Sequence, residues 1–175
     1  MAQGDIVIAN SNWIAEHVKT EHGVPFERVV TIPRGVDLEA FDPTNVPVAR
    51  VKAIREALGL ADDPRKILLL PGRLTEWKGQ LIAIEALAML ASDERDKLVL
   101  VLAGDAQGGN AYVTRLEHAV VAHGLDRGVI MSEHITDMPA AYLASDIVLA
   151  PSVRPEAFGR VAAEASAMAR PVIVA

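Results

Sequence analysis

The sequence predicts an α/β protein built on a doubly wound parallel sheet. Short apolar runs rich in Val, Ile and Leu alternate along the chain with longer segments of helical periodicity. The runs are continuously apolar, which indicates strands that are buried on both faces, and their alternation with helices indicates right-handed βαβ units. Hydrophobic residues make up 51% of the chain but aromatic residues only 4%, so that aliphatic side chains supply the core, as expected of helices packed on a parallel sheet.

The predicted elements follow one another as strand and helix. The strands are expected at 6–9, 29–32, 67–70, 98–103, 128–131, 147–150 and 172–175. The helices are expected at about 12–21, 47–58, 79–91, 110–123, 137–144 and 157–169. Turn-forming residues separate these elements, among them the Pro-Gly pair after the third strand and the Gly-Asp pair after the fourth.

The first 45 residues differ from the rest. Residues 6–9 and the helix after them, whose apolar face includes Trp13 and Val18, form a lone βα unit. The segments 33–37 and 41–43 are rich in residues that form turns. We therefore expect residues 1–45 to be the end of one domain with a linker, and 46–175 to be a second domain.

The last strand, 172–175, has no segment after it that could cover the sheet, although a parallel sheet normally has both faces covered. We therefore expect the chain to be a fragment that is incomplete at its carboxyl end.

Composition excludes several classes of function. The net charge of −6 argues against a nucleic-acid backbone as partner, because phosphate backbones bind to basic surfaces. The absence of cysteine excludes a disulfide framework, a thiol nucleophile and a Cys-based metal site. The first residues lack the basic and apolar regions of a signal peptide, and no apolar run approaches the ~20 residues of a membrane span. These features fit a cytoplasmic protein.

Two cations follow the third predicted strand. Arg73 and Lys78 lie in the loop after Pro71-Gly72, at the end of the sheet where open α/β proteins bind ligands. A guanidinium offers a bidentate fork to phosphate oxygens, and an ammonium adds a point charge. The alternative is a pair of solvated loop cations.

The next two strand ends carry weaker signals. Gly104 would permit a close backbone approach to a ligand or a left-handed turn, and Asp105 suits a tight βα turn better than a ligand contact. No G-x-G-x-x-G fingerprint is present. His134 and Ile135, in the loop after the fifth strand, are candidates for a contact with a base.

A glutamate pair follows the sixth strand. Glu156 and Glu164 are eight residues apart, which in a helix corresponds to a rise of ~12 Å. Free N–H groups of residues 157–159 at the first turn of the expected helix would bind an anion. Glu164, among alanines, needs a partner if it is buried, and a ribose diol would serve; the alternative is a solvent-exposed helix residue.

Together these motifs resemble the retaining family 4 glycosyltransferases, which have the two-domain GT-B fold. Residues 30–41 resemble the interdomain segment of the family, 71–79 its diphosphate-binding loop, and 137–164 its E-x7-E region. The resemblance implies that most of the chain is a Rossmann-like donor-binding half, preceded by a βα remnant of the other half. Ala169 departs from the family pattern, because many relatives carry glycine there, at the turn into the last strand.

The resemblance also implies roles for single residues. Arg73 and Lys78 would bind the donor diphosphate, Glu156 the transferred sugar and Glu164 the ribose. The residues with an implied catalytic role are Arg73, Lys78 and Glu156; those with an implied role in donor binding are Gly72, Arg73, Lys78, Gly104, His134, Ile135, Glu156, Ala157, Phe158, Gly159 and Glu164. Cations and a helix N-terminus would stabilise the leaving group, so that neither a metal nor a cofactor is implied.

The implied reaction moves a hexose, with retention of configuration, from a UDP- or GDP-linked sugar to a glycan or lipid acceptor. Such enzymes act in surface polysaccharide or lipopolysaccharide assembly. The resemblance implies a location in the cytoplasm and leaves undecided whether the full-length protein contacts the inner face of the membrane. The acceptor would bind to an amino-terminal domain that this chain lacks, so we expect the chain alone to be inactive. A phosphorylase, a nucleotide-sugar epimerase and a non-catalytic nucleotide-binding module are the alternatives.

Overall fold

The structure is a computed structural model that describes residues 4–106, 108 and 110–175; residues 1–3 of the predicted first segment lie outside it. The strands are β1 (Val7–Ala9), β2 (Val29–Thr31), β3 (Lys66–Pro71), β4 (Leu98–Ala103), β5 (Val129–Ser132), β6 (Ile147–Ala150) and β7 (Val172–Val174). The helices are α1 (Asn12–His22), α2 (Val48–Ala57), α3 (Gln80–Met89), α4 (Ser92–Arg95), α5 (Asn110–Ala122), α6 (Met138–Ala144) and α7 (Arg160–Ala167).

The strands form two parallel sheets. The larger has the order β5-β4-β3-β6-β7, and β1 pairs with β2 in a separate sheet of two strands. In the larger sheet the chain moves outward from β3 to β4 and β5, then returns to place β6 on the other side of β3. The prediction of an α/β fold with a doubly wound parallel sheet is confirmed. The strand order reverses between β3 and β6, and ligands of open α/β sheets bind at the carboxyl ends of such a strand pair.

Alternate residues of the central strands pack into two cores, one on each face of the sheet. Val99 and Val101 of β4 belong to the core formed with α6 and α7, whereas Leu100 and Leu102 belong to the core formed with α3 and α5. All four are completely buried. Because neighbouring side chains of a strand point to opposite faces, a strand covered on both faces has the unbroken apolar sequence that β4 shows.

Helix boundaries differ from the predicted ones near the site. The helix expected at 157–169 begins only at Arg160, because Gly159 precedes it in the left-handed region, with φ 69°. Its C-terminal turn contains Ala169, which has φ 53° and is the one non-glycine among the described residues with positive φ. A glycine at this turn would avoid the steric cost that alanine has in this conformation. The helix expected at 79–91 ends at Met89, and the short α4 that follows it was not predicted.

Residues on both sides of the predicted domain boundary contact the core of the larger sheet. Val46 is buried in the core that contains Tyr142, and the ring of Phe41 lies 6.2 Å from the ring of Tyr142. The boundary between 45 and 46 stays a prediction. Within the described residues, none of the helices combines the length and the apolar character that crossing a membrane requires.

Candidate functional site

The loops after β3 and β6 pack against each other at the carboxyl end of the sheet. Gly79, at the start of α3, lies so close to β6 that a Cβ on it would stand 2.0 Å from the carbonyl oxygen of Pro151. The N–H of Val153 donates to the carbonyl of Trp77 at 2.8 Å. Gly79 has φ 73°. A glycine is therefore required here for two reasons, the left-handed backbone conformation and the close approach to Pro151. The contact brings side chains 78 residues apart in sequence into one site.

Lys78 and Glu156 form the centre of this site. The ammonium of Lys78 donates to Oε1 of Glu156 at 2.5 Å, and the hydroxyl of Ser152 donates to the same oxygen at 2.5 Å. Burial raises the pKa of Glu156, but the bonds from Lys78 and Ser152 and the charges of Lys78 and Arg73 outweigh it and hold the pKa below the usual value. The side chains of Lys78 and Glu156 are 25% and 32% exposed, so that a ligand can reach both.

A buried amide that the sequence analysis missed supports Arg73. Gln80 is completely buried, and its side-chain N–H donates to the carbonyl of Arg73 at 2.8 Å. The hydroxyl of Tyr112 donates to Oε1 of Gln80 at 3.3 Å. These bonds fix the backbone of the loop that carries the exposed Arg73 side chain. An amide at the start of an otherwise almost entirely apolar helix was the signal that could have identified it.

The two glycines at the ends of β3 and β4 lie against each other. A Cβ on Gly104 would stand 2.1 Å from the carbonyl oxygen of Gly72, so a side chain at Gly104 is excluded by the neighbouring strand end. The close approach to a ligand stays a prediction. The N–H of Leu74 donates to the carbonyl of Asp105 at 2.8 Å, so that this bond joins the loop after β3 to the loop after β4. The left-handed alternative for Gly104 is wrong, because it is absent from the described glycines with positive φ.

Glu164 is buried within the protein, so the alternative of a solvent-exposed residue is wrong. Its Oε2 accepts from the hydroxyl of Tyr142 at 3.0 Å, and its Oε1 accepts two bonds from Arg160, at 2.6 and 2.9 Å. Burial, together with the charge of Glu164, raises the pKa of Tyr142. The spacing estimate of ~12 Å for the glutamate pair was wrong in its premise, because Glu156 lies in the loop and α7 begins only at Arg160.

A cavity of about 260 Å³ opens beside Lys78 and Glu156. Of the predicted site residues, it is lined by Lys78, Glu156, Ala157, Phe158 and Gly159. The free N–H groups of the helix begin at Arg160 rather than at 157–159, because α7 starts later than predicted. His134 and Ile135 lie outside this lining, in the loop after the edge strand β5, where His134 is exposed and Ile135 packs on the core.

The first part of the chain supplies the opposite wall of the cavity. Asn10 and Arg34, neither of which was predicted, line it. The hydroxyl of Ser11 donates to the carbonyl of Ala157 at 3.0 Å and also accepts from the N–H of Ile14 at the start of α1. Asn10 and Ser11 follow β1 as polar residues at a strand end, which was the signal available in the sequence. The described residues contain no group of three or more His, Asp or Glu that could hold a metal ion.

Comparison with known families accounts for most of the chain. Residues 51–175 match the family model described as "Glycosyl transferases group 1". The chain belongs to the group 1 glycosyltransferases. Residues 1–40 match a second model, described as "Glycosyltransferase Family 4".

Curated relatives match over the whole chain. The D-inositol 3-phosphate glycosyltransferase of Xylanimonas cellulosilytica is 34% identical over 179 residues, which cover 100% of this chain and 41% of the relative. The enzyme of the same name from Jonesia denitrificans is 32% identical, with 99% and 41% covered. The chain thus spans about two fifths of the length of these relatives.

Solved structures identify the fold as part of a GT-B glycosyltransferase. Anabaena HepE in complex with UDP-glucose is 30% identical and has a TM-score of 0.84, with 98% of this chain and 44% of that chain covered. A glycosyltransferase from Rickettsia africae is 28% identical with a TM-score of 0.86 and the same coverage. WaaG, a glycosyltransferase of lipopolysaccharide biosynthesis, is 22% identical and supports the fold alone.

Proposed function

We propose that the chain is the donor-binding part of a retaining glycosyltransferase that moves a hexose from a UDP-linked sugar to a hydroxyl acceptor. The observation that carries this proposal is the contact between Lys78 and Glu156 where the strand order reverses. Cations alone would suit a phosphate and carboxylates alone a sugar, whereas this site presents both to one cavity. The similarity to HepE, whose structure contains UDP-glucose, supports UDP as the nucleotide.

The diphosphate is the group that Arg73, Lys78 and the start of α7 bind in this proposal. Arg73 offers a planar fork and Lys78 a point charge, and the first N–H groups of α7 add donors at the positive end of its dipole. Charge develops on the leaving diphosphate as its bond to the sugar breaks. Donors already in place stabilise that charge without reorganisation, which lowers the barrier. The proposal assigns no role to a metal or a cofactor in this step.

Glu156 accepts hydrogen bonds from hydroxyls of the transferred sugar in this proposal. Its Oε1 is held by Lys78 and Ser152. When Lys78 turns to the diphosphate, the carboxylate can accept from the sugar instead, so that one ion pair is exchanged for two contacts with the donor.

Glu164 binds the ribose in this proposal, and its present partners determine which of its two oxygens becomes available to the ribose. Arg160 donates both of its bonds to Oε1, and its side chain is 58% exposed. Arg160 can therefore leave at low cost, while the buried Tyr142 keeps Oε2 in place. His134 and Ile135 remain the candidates for the base, and Gly72 and Gly104 allow the backbone to approach the donor.

The proposed acceptor is a polyol phosphate. The names of the curated relatives favour a polyol phosphate over the lipopolysaccharide or glycolipid sugar expected from the sequence. Arg34 lines the donor cavity, and its charge suits a phosphate group there. The cytoplasmic location, the contact with a membrane and the inactivity of this chain by itself stay predictions.

The proposal is tested by titrating UDP, GDP and ADP into the 175-residue chain by calorimetry. UDP should bind most tightly, and Arg73→Ala combined with Lys78→Ala should weaken it by about a hundredfold or more, since each charge-assisted bond contributes roughly 1.5–3 kcal/mol. The matched control is Arg95→Ala with Lys97→Ala, which removes the same charge before β4, at the opposite end of the sheet. Unchanged UDP affinity in the first double variant would contradict the phosphate assignment.

A further inference from the structure

Both tryptophans of the chain line one cleft beside the cavity of the proposed donor site. The cleft has a volume of about 330 Å³ and lies between α1, which carries Trp13 and His17, and the loops after β3 and β6, which carry Trp77 and Pro155. Lys78, Glu156 and Ala157 line both this cleft and the donor cavity. Arg73, which the proposed function assigns to the diphosphate, lines the cleft but not the cavity, so the cleft borders the diphosphate position. A ligand in the cleft is therefore in reach of the groups that face the transferred sugar.

The two indole rings are exposed yet held in place. Trp13 is 49% exposed and stacks on His17 with the ring centroids 5.2 Å apart and the planes 8° from parallel. Trp77 is 43% exposed, and its indole N–H donates to the carbonyl of Arg154 at 3.2 Å. Rings that are fixed before binding lose little conformational entropy when a ligand covers them.

We propose that this cleft is the acceptor subsite and that it takes a six-membered polyhydroxylated ring, a pyranose or a cyclitol; the proposal rests on the proposed function. Such a ring has a face of C–H groups, which packs on an indole, and a rim of hydroxyls, which needs polar partners. The cleft offers both, with Trp13 and Trp77 as apolar surfaces and Thr75 and Glu156 as polar groups. An acceptor hydroxyl directed at Glu156 points toward the donor cavity, which is the direction that transfer requires.

Tryptophan fluorescence tests the proposal, because the chain has two tryptophans and both line the cleft. The chain, with UDP present in excess, is titrated with methyl α-D-glucopyranoside and with myo-inositol. Sorbitol, which has hydroxyls but no ring, is the control. The ring compounds should change the emission saturably, with half-saturation at about millimolar concentration, and sorbitol should not.

Two variants of one residue separate stacking from structure. Trp13→Phe keeps an aromatic face and leaves Trp77 as the reporter, and it should retain binding. Trp13→Leu keeps apolar bulk without the face and should bind the ring compounds about tenfold more weakly. Both variants should bind UDP as the wild type does, because Trp13 has no part in the proposed diphosphate contacts.

The outcomes distinguish this proposal from the proposed function. Intact UDP binding with no saturable signal from either ring compound, or an equal signal from sorbitol, would overturn the acceptor subsite alone. Wild-type affinity in Trp13→Leu would do the same. Displacement of the ring compounds by UDP-glucose but not by UDP would assign the cleft to the donor hexose and overturn it as well. Failure of the wild type to bind UDP would overturn the proposed function itself.

Discussion

The two glutamates of one short segment have different surroundings. Glu156 lies in a loop, its side chain is 32% exposed, and its partner Lys78 comes from another loop across the sheet. Glu164 lies in α7, its side chain is 8% exposed, and its partners are Arg160 of the same helix and the buried Tyr142 of α6. Each glutamate forms an ion pair, but only in the pair of Lys78 and Glu156 are both side chains partly exposed.

This difference indicates a division of labour within the proposed site. A partly exposed pair exchanges its partners for those of a ligand at little cost, because water already solvates both charges. A buried carboxylate bonded to a buried hydroxyl is costly to leave unpaired, so it fixes a position. We therefore expect Glu164 to matter for stability as well as for binding, and Glu156 to matter mainly for binding and transfer.

The largest expected effect is that of Glu164→Ala. This change leaves the hydroxyl of Tyr142 buried without an acceptor, so the free energy of unfolding should fall by about 3 kcal/mol. Glu156→Ala removes a partly exposed ion pair and should cost about 1 kcal/mol or less. Urea denaturation of both variants measures the difference. Equal losses of stability would show that the contrast in burial has no energetic consequence.

A smaller effect should come from Tyr142→Phe, which keeps the packing of the ring and removes its one bond to Glu164. The free energy of unfolding should fall by about 2 kcal/mol, since the bond has a charged acceptor in a buried place. Tyr112→Phe is the control with neutral partners, because its hydroxyl donates to Gln80 and accepts from the N–H of Leu81 over long bonds of 3.3 and 3.4 Å, and it should cost about 1 kcal/mol or less. The contrast fails if both variants have the same midpoint of urea unfolding.

The smallest expected effect concerns the pH dependence of Glu156. Its pKa in the folded protein is lowered, so the stability that it contributes is present above the value near 4.5 of an unfolded glutamate and is lost as the pH falls through the folded pKa. Relative to Glu156→Gln, the wild type should therefore be more stable at pH 7 by about 1 kcal/mol or less, and this advantage should disappear toward pH 3. Urea unfolding of both proteins at several pH values measures it. An advantage that grew on acidification would contradict the lowered pKa.

The strands could be predicted because their signal is local. The six apolar residues of β4 were identified without error, since burial on both faces leaves an unbroken run. The start of α7 could not be predicted in the same way. Residues 157–159 have no sequence feature that forbids a helix, apart from Gly159, and a single glycine only weakens one. The loop conformation there depends on contacts with distant residues, such as the bond from Ser11 to Ala157.

The sequence by itself determined the alternation of strands and helices, the strand ends to within one residue, and the residue types that follow them. These features depend on periodicity and turn chemistry within short windows. Only the tertiary structure decided that β6 lies beside β3, which joins Lys78 to Glu156, and that Tyr142 and Arg160 hold Glu164. It also placed both tryptophans at one cleft. The physical reason is that strand order and side-chain partners depend on the free energy of the whole packed chain. They therefore cannot be deduced from any short segment of the sequence.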